Sequence, residues 1–174
     1  MMQGDFRVGA MLGRSYDNQN CSVARALEIV GERWSLLIVR DAIFRGYTRF
    51  SEFERELGIA PNVLAARLDR FVEAGLMEAR RVSAHPDHRE YVLSTKGLDL
   101  LPVIIALNAW GDSWAAPQGP PVVLEHEGCG GHIHARLGCT TCDDVPAPTE
   151  IHVVRPGPGT RPATARRKRP STAR

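Results

Sequence analysis

Two sets of side chains in this sequence have the types and spacing to do chemistry. His126, Cys129, Cys139 and Cys142 stand in the order H-x2-C-x9-C-x2-C. Imidazole nitrogen and thiolate sulfur are the donors that tetrahedral Zn2+ takes in structural sites. Two short knuckles separated by a hairpin-length spacer fit a zinc ribbon, in which the ion replaces a missing apolar core. Gly128, Gly130, Gly131 and Gly138 supply the tight turns that knuckles need. His132 and His134 compete for the fourth ligand position; His126 is preferred because its spacing mirrors the second knuckle. A metal-free hairpin with reduced thiols is the alternative reading. One feature departs from the usual ribbon: Asp143 follows Cys142, where Gly is common.

The second set is basic. Arg80, Arg81, His85, His88 and Arg89 cluster around SAHPDH, with Asp87 and Glu90 as the nearby acids. Upstream, Asn62, Arg67 and Arg70 fall on the exposed and flanking faces of one helical segment, and Thr48, Arg49 and Ser51 fall at the start of the segment before it. Asn can pair with adenine and Arg with guanine or phosphate in a DNA major groove. Thr48, Arg49 and Ser51 are placed to hold a phosphate through side chains and helix N–H groups. The competing reading makes these charges a solvated face with internal ion pairs, Arg67 with neighbours of Asp69 or Arg70 with Glu73 for instance, and it is strongest for Arg55 among Glu52, Glu54 and Glu56.

Catalytic chemistry finds less support. Zinc nucleobase deaminases need His-x-Glu and Pro-Cys-x-x-Cys. Here Glu127 directly follows His126, and Gly138 rather than Pro precedes Cys139. A site of three Cys and one His would also leave no position for water. No nucleophile elbow, P-loop or dinucleotide fingerprint is present, so an enzyme is not expected. Cys21 precedes a helix N-terminus, where the dipole lowers a thiol pKa and favours thiolate; a small residue in a dimer contact is the plainer reading.

The elements that position these groups follow from periodicity. Ser22 can cap a helix to Val30, with Val23, Ala26, Leu27 and Val30 as one apolar stripe and Gly31 as its end. Glu32 to Phe44 is apolar almost all round and belongs in the centre of a core. Ser51 and Glu54 make a capping box for a short helix that buries Phe50, Phe53 and Leu57 and stops at Gly58. Pro61 opens the next helix, whose buried face is Leu64, Leu68, Phe71 and Val72, closed by Gly75.

Leu76 to Val82 and Arg89 to Leu93 read as strands of a hairpin. From Thr95 a helix runs to about Trp114, kinked or broken by Pro102. It carries one stripe of Leu98, Leu101 and Ile105 and a second of Val103, Leu107, Trp110 and Trp114, the second free to bury against another subunit.

The fold class that results is mainly α with a small β-hairpin wing, a winged helix-turn-helix, plus a small C-terminal zinc-ribbon-like β unit. The domains expected are a flexible N-terminus over 1–20, the winged helix-turn-helix over 21–115, a linker over 116–121, the ribbon-like unit over 122–154 and a disordered basic tail over 155–174. The tail has Pro, Gly, Thr and Arg but no core-forming residues.

The chain has 174 residues, 43% of them hydrophobic, and a net charge of +2. From Ile151 onward there are seven Lys or Arg and no acids, so residues 1–150 carry fifteen basic against twenty acidic residues, a net of −5. DNA binding is therefore argued from where the arginines sit and not from bulk charge. The longest apolar run, Leu98 to Leu107, is about half a membrane-spanning helix. The first twenty residues lack the apolar core of a secretory signal, which makes no membrane and a cytoplasmic location the expectation. Four cysteines in such a chain point to metal or thiol chemistry before disulfides.

Residues 21–114 resemble the HxlR family of bacterial winged-helix regulators, relatives of the MarR group. The matching residues are Cys21 and Ser22, Gly31 and Trp34 in VGERWSLLIVRDAI, and Arg49, Phe50 and Phe53 in RFSEFERELGIAPNVLAARL, then GLMEARRV, REYVLSTKG and PVIIALNAWGDSW. The resemblance implies a homodimer formed through the first and last helices, acting on a two-fold operator, more often as a repressor. Some members similar in this region use a cysteine placed like Cys21 to sense oxidants or electrophiles, so a redox or small-molecule effector is implied as an option. The family usually has Ser where this chain has Ala60; loss of that cap costs about 1 kcal/mol and takes away a phosphate contact.

The function expected is a DNA-binding transcriptional regulator. Asn62, Arg67 and Arg70 would read the major groove, Thr48, Arg49 and Ser51 would anchor phosphate, and Arg81, His85, His88 and Arg89 would form wing contacts. The alternative is a protein-interaction adaptor, with the winged helix as scaffold and the Cys-rich unit as docking surface, which the acidic body favours.

Overall fold

The computed structural model describes Tyr16, residues 19–82 and residues 89–154. His85 and His88, most of the N-terminal segment and the basic tail lie outside the described residues. The chain divides into two compact units, one up to Ala135 and one from Arg136 onward.

The first unit is built in the order α1 (Ser22–Val30), α2 (Ser35–Phe44), α3 (Phe50–Leu57), α4 (Pro61–Glu73), β1 (Met77–Arg81), β2 (Arg89–Leu93), α5 (Thr95–Leu98) and α6 (Leu101–Trp114). Its core is formed by side chains with no or almost no solvent contact, among them Ile38 and Val39 of α2, Phe53 of α3, Leu64, Leu68 and Phe71 of α4, and Met77 of β1. Burial of each such side chain is worth roughly 1.5–3 kcal/mol. Helix α2 sits where an all-round apolar helix should, packed on α1, α3, α6 and β2.

The caps differ in detail from the sequence expectation. Cys21, not Ser22, is the N-cap of α1, and Ser22 is the first helical residue. Helix α2 begins at Ser35 rather than Glu32, since a turn closed by Ser35 N–H to the Glu32 carbonyl at 3.0 Å precedes it. Helix α3 begins at Phe50 with Arg49 as N-cap. Glu52, not Glu54, reaches back, and its Oε2 accepts from the backbone N–H of Thr48 at 3.0 Å and of Arg49 at 2.9 Å. The helix starts earlier because residues 48 and 49 are held extended beside β2, which leaves Ser51 inside the first turn.

At the other end of α3, Gly58 takes φ +58°, the left-handed cap that the sequence called for. Pro61 is the first residue of α4 behind an uncapped Ala60. The wing strands pair antiparallel, Met77 with Leu93 through Arg81 with Arg89.

Pro102 marks a break: α5 ends at Leu98 and α6 starts at Leu101. The break alters the inner stripe, in which Ile105 is buried as expected and Leu101 is half-buried. Ile104 and Ile105 are buried whereas Leu98 is exposed. The outer stripe of Val103, Leu107, Trp110 and Trp114 is exposed, Trp114 at 79%. Gly97 in α5 has a structural requirement, because a Cβ there would stand 2.3 Å from the Leu76 carbonyl oxygen.

The segment after α6 turns back in a bridge between Glu125 and His132. In the second unit Asp143 N–H bonds the Cys139 carbonyl at 2.9 Å, and Pro148–Glu150 forms a turn of 3-10 helix. No helix among the described residues is long and apolar enough to cross a membrane.

Candidate nucleic-acid interface

The Gly58–Pro61 turn sets α3 and α4 as consecutive packed helices, with Leu64, Leu68 and Phe71 holding α4 against the core. That packing turns the opposite side of α4 outward. Asn62 and Arg70 are exposed on it, and Arg67 is half-buried. The C-terminal end of α4 is tied to the base of the wing by two bonds. Ser94 Oγ donates to the Gly75 carbonyl at 2.7 Å, and Lys96 Nζ donates to the Ala74 carbonyl at 2.6 Å.

The wing is fixed from its other side by an unforeseen pairing. Residues 48 and 49 act as a short third strand: Tyr91 N–H donates to the Thr48 carbonyl at 2.7 Å, and Arg49 bridges Glu90. Thr48, Arg49 and the first turn of α3 therefore sit against β2, next to Arg89. The start of α3, the wing strands and α4 pack against one another, which holds the backbone of Thr48 and Arg49 beside β2.

Ion pairs dress most of these arginines. Arg67 Nη2 stands 3.6 Å from Glu32, Arg70 Nη1 is 3.5 Å from Glu73, Arg49 Nε is 3.8 Å from Glu90, and Arg80 Nη2 is 2.9 Å from Glu78. The Arg70–Glu73 pair is one of the two the sequence suggested; for Arg67 the expected neighbours of Asp69 give way to Glu32, which lies 35 positions away and has no local signal. The exposed pairs are worth about 0–1 kcal/mol each, less than a phosphate or base contact returns, so they do not bar a nucleic acid. Arg81 and Arg89 face each other in the strand register. Like charges directly opposite destabilise a hairpin, and an anion between them removes that cost.

One part of the proposed phosphate anchor is already engaged. The Thr48 and Arg49 amides are bonded to Glu52, whose carboxyl they hold below the ordinary glutamate range, Arg49 contributing most.

Cys21 is exposed, and the Ala24 and Val23 backbone amides beside its sulfur lower its thiol pKa, the Ala24 amide most. The two cysteine knuckles show the same local turn. Gly130 N–H bonds the His126 carbonyl at 2.8 Å, Gly130 has φ +66°, and His126 Nδ1 is 3.3 Å from Cys129 Sγ. Asp143 likewise bonds the Cys139 carbonyl and has φ +60°, and Thr141 N–H points at Cys139 Sγ at 3.5 Å. Asp143 thus takes the left-handed conformation at the place where ribbons carry Gly, and Asp is among the side chains that tolerate it. The Cys142 and Thr141 amides lower the Cys139 thiol pKa, Cys142 most. Among the described residues, no three or more His, Cys, Asp or Glu side chains form a group arranged to hold a metal ion.

Known proteins resemble this chain over most of its length. A family model described as HxlR-like helix-turn-helix matches residues 29–119. An uncharacterized HTH-type transcriptional regulator of Mycobacterium tuberculosis is 45% identical over 139 residues, 79% of this chain and 87% of the relative. The crystal structure of PA1607, described as a candidate transcription factor, superposes with a TM-score of 0.71 at 39% identity and covers 79% of this chain and 96% of that one. A second candidate transcription factor, PA1374 of Pseudomonas aeruginosa, gives 0.57 at 41% identity over 82% of this chain and 96% of that one.

Proposed function

The chain belongs to the HxlR-like helix-turn-helix family, whose relatives are named transcriptional regulators, and on that premise we propose a homodimeric repressor that binds a two-fold DNA operator. The observation that carries this reading is the union of α4, the start of α3 and the wing into one body with donors on a common assembly. Asn62, Arg67 and Arg70 enter the major groove. Arg81 and Arg89, with His85 and His88 of the wing loop, flank the neighbouring backbone. Thr48, Arg49 and Ser51 clamp the phosphate between them.

Support for the dimer comes from large apolar side chains left exposed among the described residues. Val23 and Leu27 of α1 are 66% and 42% exposed, and Trp110 of α6 is 62% exposed. Large exposed apolar side chains on two helices are what an unpartnered interface leaves. The symmetry is testable by sedimentation of the protein with a selected operator duplex. Two chains per duplex on a two-fold site are expected; one chain on an asymmetric site would contradict the proposal.

The same proposal assigns a structural Zn2+ to His126, Cys129, Cys139 and Cys142. Ligand types, spacing and the matching turns of the two knuckles support it. Bound there, the ion would cross-link a segment with little apolar core. Cys21 in this reading is an accessible thiol through which oxidants or electrophiles act on the dimer.

A further inference from the structure

Cys139 and Cys142 stand at the two ends of a turn in the second unit. The Asp143 N–H bonds the Cys139 carbonyl at 2.9 Å, and the Cys139 N–H bonds the Asp144 carbonyl at 2.9 Å. Arg136 Nη2 donates to the Asp143 carbonyl at 2.8 Å and pins the far side. Residues three apart across such a turn have Cα atoms within about 7 Å, a span that a disulfide covers. The Cys142 thiol lies beside the Cys139 sulfur, and the Thr141 N–H points at that sulfur at 3.5 Å. Both thiols are free, Cys142 exposed and Cys139 half-buried.

We infer that Cys139 and Cys142 form a redox-active dithiol, which hydroperoxides close to an intrachain disulfide. The exposed Cys142 sulfur attacks one peroxide oxygen and the O–O bond breaks. The sulfur becomes a sulfenic acid, and the thiol proton leaves with the other oxygen as an alcohol, or as water from hydrogen peroxide. The Cys139 sulfur then attacks the Cys142 sulfur. The S–O bond breaks, the S–S bond forms, and the hydroxyl departs as water with the Cys139 proton. Two electrons pass from the sulfurs to the peroxide. A ring closed over so few residues removes little chain entropy, so this bond is a reversible mark and not a structural staple, and a small thiol reopens it.

This pair is separate from Cys21, which lies in the first unit. Closure itself needs no metal. It meets the zinc reading at one point: sulfurs joined to each other no longer serve as thiolate ligands, so closure would release an ion held by Cys139 and Cys142.

The test uses the full chain, treated with hydrogen peroxide, then denatured and alkylated. The tryptic peptide beginning at Leu137 carries Cys139 and Cys142 and no other cysteine. It should become two hydrogens lighter and refuse the alkylating reagent, and dithiothreitol should restore both sites. Cys129→Ser should close as the unaltered chain does. In Cys139→Ser the peptide should instead retain a Cys142 sulfenic acid that dimedone traps. Both thiols still alkylatable after peroxide, Cys142 carried to sulfinic acid without a disulfide, or a bridge from either sulfur to Cys21 or Cys129 would overturn the inference. The mass of the peptide from the unaltered chain decides even where a variant folds poorly. A zinc-sensitive dye read in parallel separates this inference from the zinc reading. Zinc retained by a chain that does not close overturns the dithiol alone; closure without zinc release overturns the zinc assignment alone.

Discussion

Arg67 and Arg70 lie three positions apart on α4 and are not equivalent. Arg70 is exposed, and its pair with Glu73 has side chains 51% and 68% exposed. Arg67 is 20% exposed and reaches back to Glu32. Arg70→Ala should weaken operator binding by about 1–3 kcal/mol, the range of a specific base contact, and leave the melting temperature nearly unchanged. Arg67→Ala should weaken binding and also lower stability, because it empties part of the contact between α4 and the α1–α2 turn. Paired thermal melts and binding titrations check both. Unchanged affinity in Arg70→Ala would remove it from the interface. At this scale the sequence disclosed residue types well and partners poorly. Glu73, one turn from Arg70, could be read from spacing; Glu32 as a partner, and the burial of Asp41 in a helix apolar almost all round, could not, since both depend on tertiary packing.

Helix α3 shows how much an element owes to its neighbours. Its periodicity, Gly58 stop and following Pro61 were legible because each acts within one turn of chain. Its start was not, since the extended residues 48 and 49 answer to β2, some forty positions away. That pairing puts Glu52 under the Thr48 and Arg49 amides and lowers its pKa. A carboxyl whose folded pKa is depressed stabilises the fold above its unfolded pKa, and the contribution fades as pH falls through the folded value. Glu52→Ala should therefore cost about 1 kcal/mol at neutral pH, in line with loss of a helix cap, and should flatten the acid limb of stability. Urea midpoints measured from neutral pH into the acid range test this; a mutant curve parallel to the unaltered one would show that Glu52 does not do this work. Helix α6 gives the matching lesson. Pro102 announced a break and Ile105 an inner face, but the burial of Ile104 and the exposure of Leu98 appear only when the helix packs.

Across the whole chain, charge and apolar surface are unevenly shared. Residues 1–150 carry a net of −5, with six of their fifteen basic residues on α4, the start of α3 and the wing strands, while apolar surface is left on α1 and α6. A family that resembles this chain over half its length was legible from the Gly, Trp and Phe landmarks of the first unit. The segment from residue 122 to 154 was legible only as ligand spacing, because four donor residues specify a turn geometry and not the packing around it. If zinc is resident, the purified chain should hold one Zn2+ by elemental analysis, and a chelator should release it together with a fall in thermal stability; a metal-free chain of equal stability would contradict that assignment.

The central claim is site-specific DNA binding. It is tested most directly by fluorescence anisotropy of the full chain on the DNA upstream of its own gene and on scrambled DNA, across a salt series. Specific contacts keep a large preference for the upstream DNA as salt rises, while the phosphate component falls away on both duplexes. The interface described above predicts that persistent preference. Equal affinities that collapse together with salt would contradict it and leave only non-specific attraction.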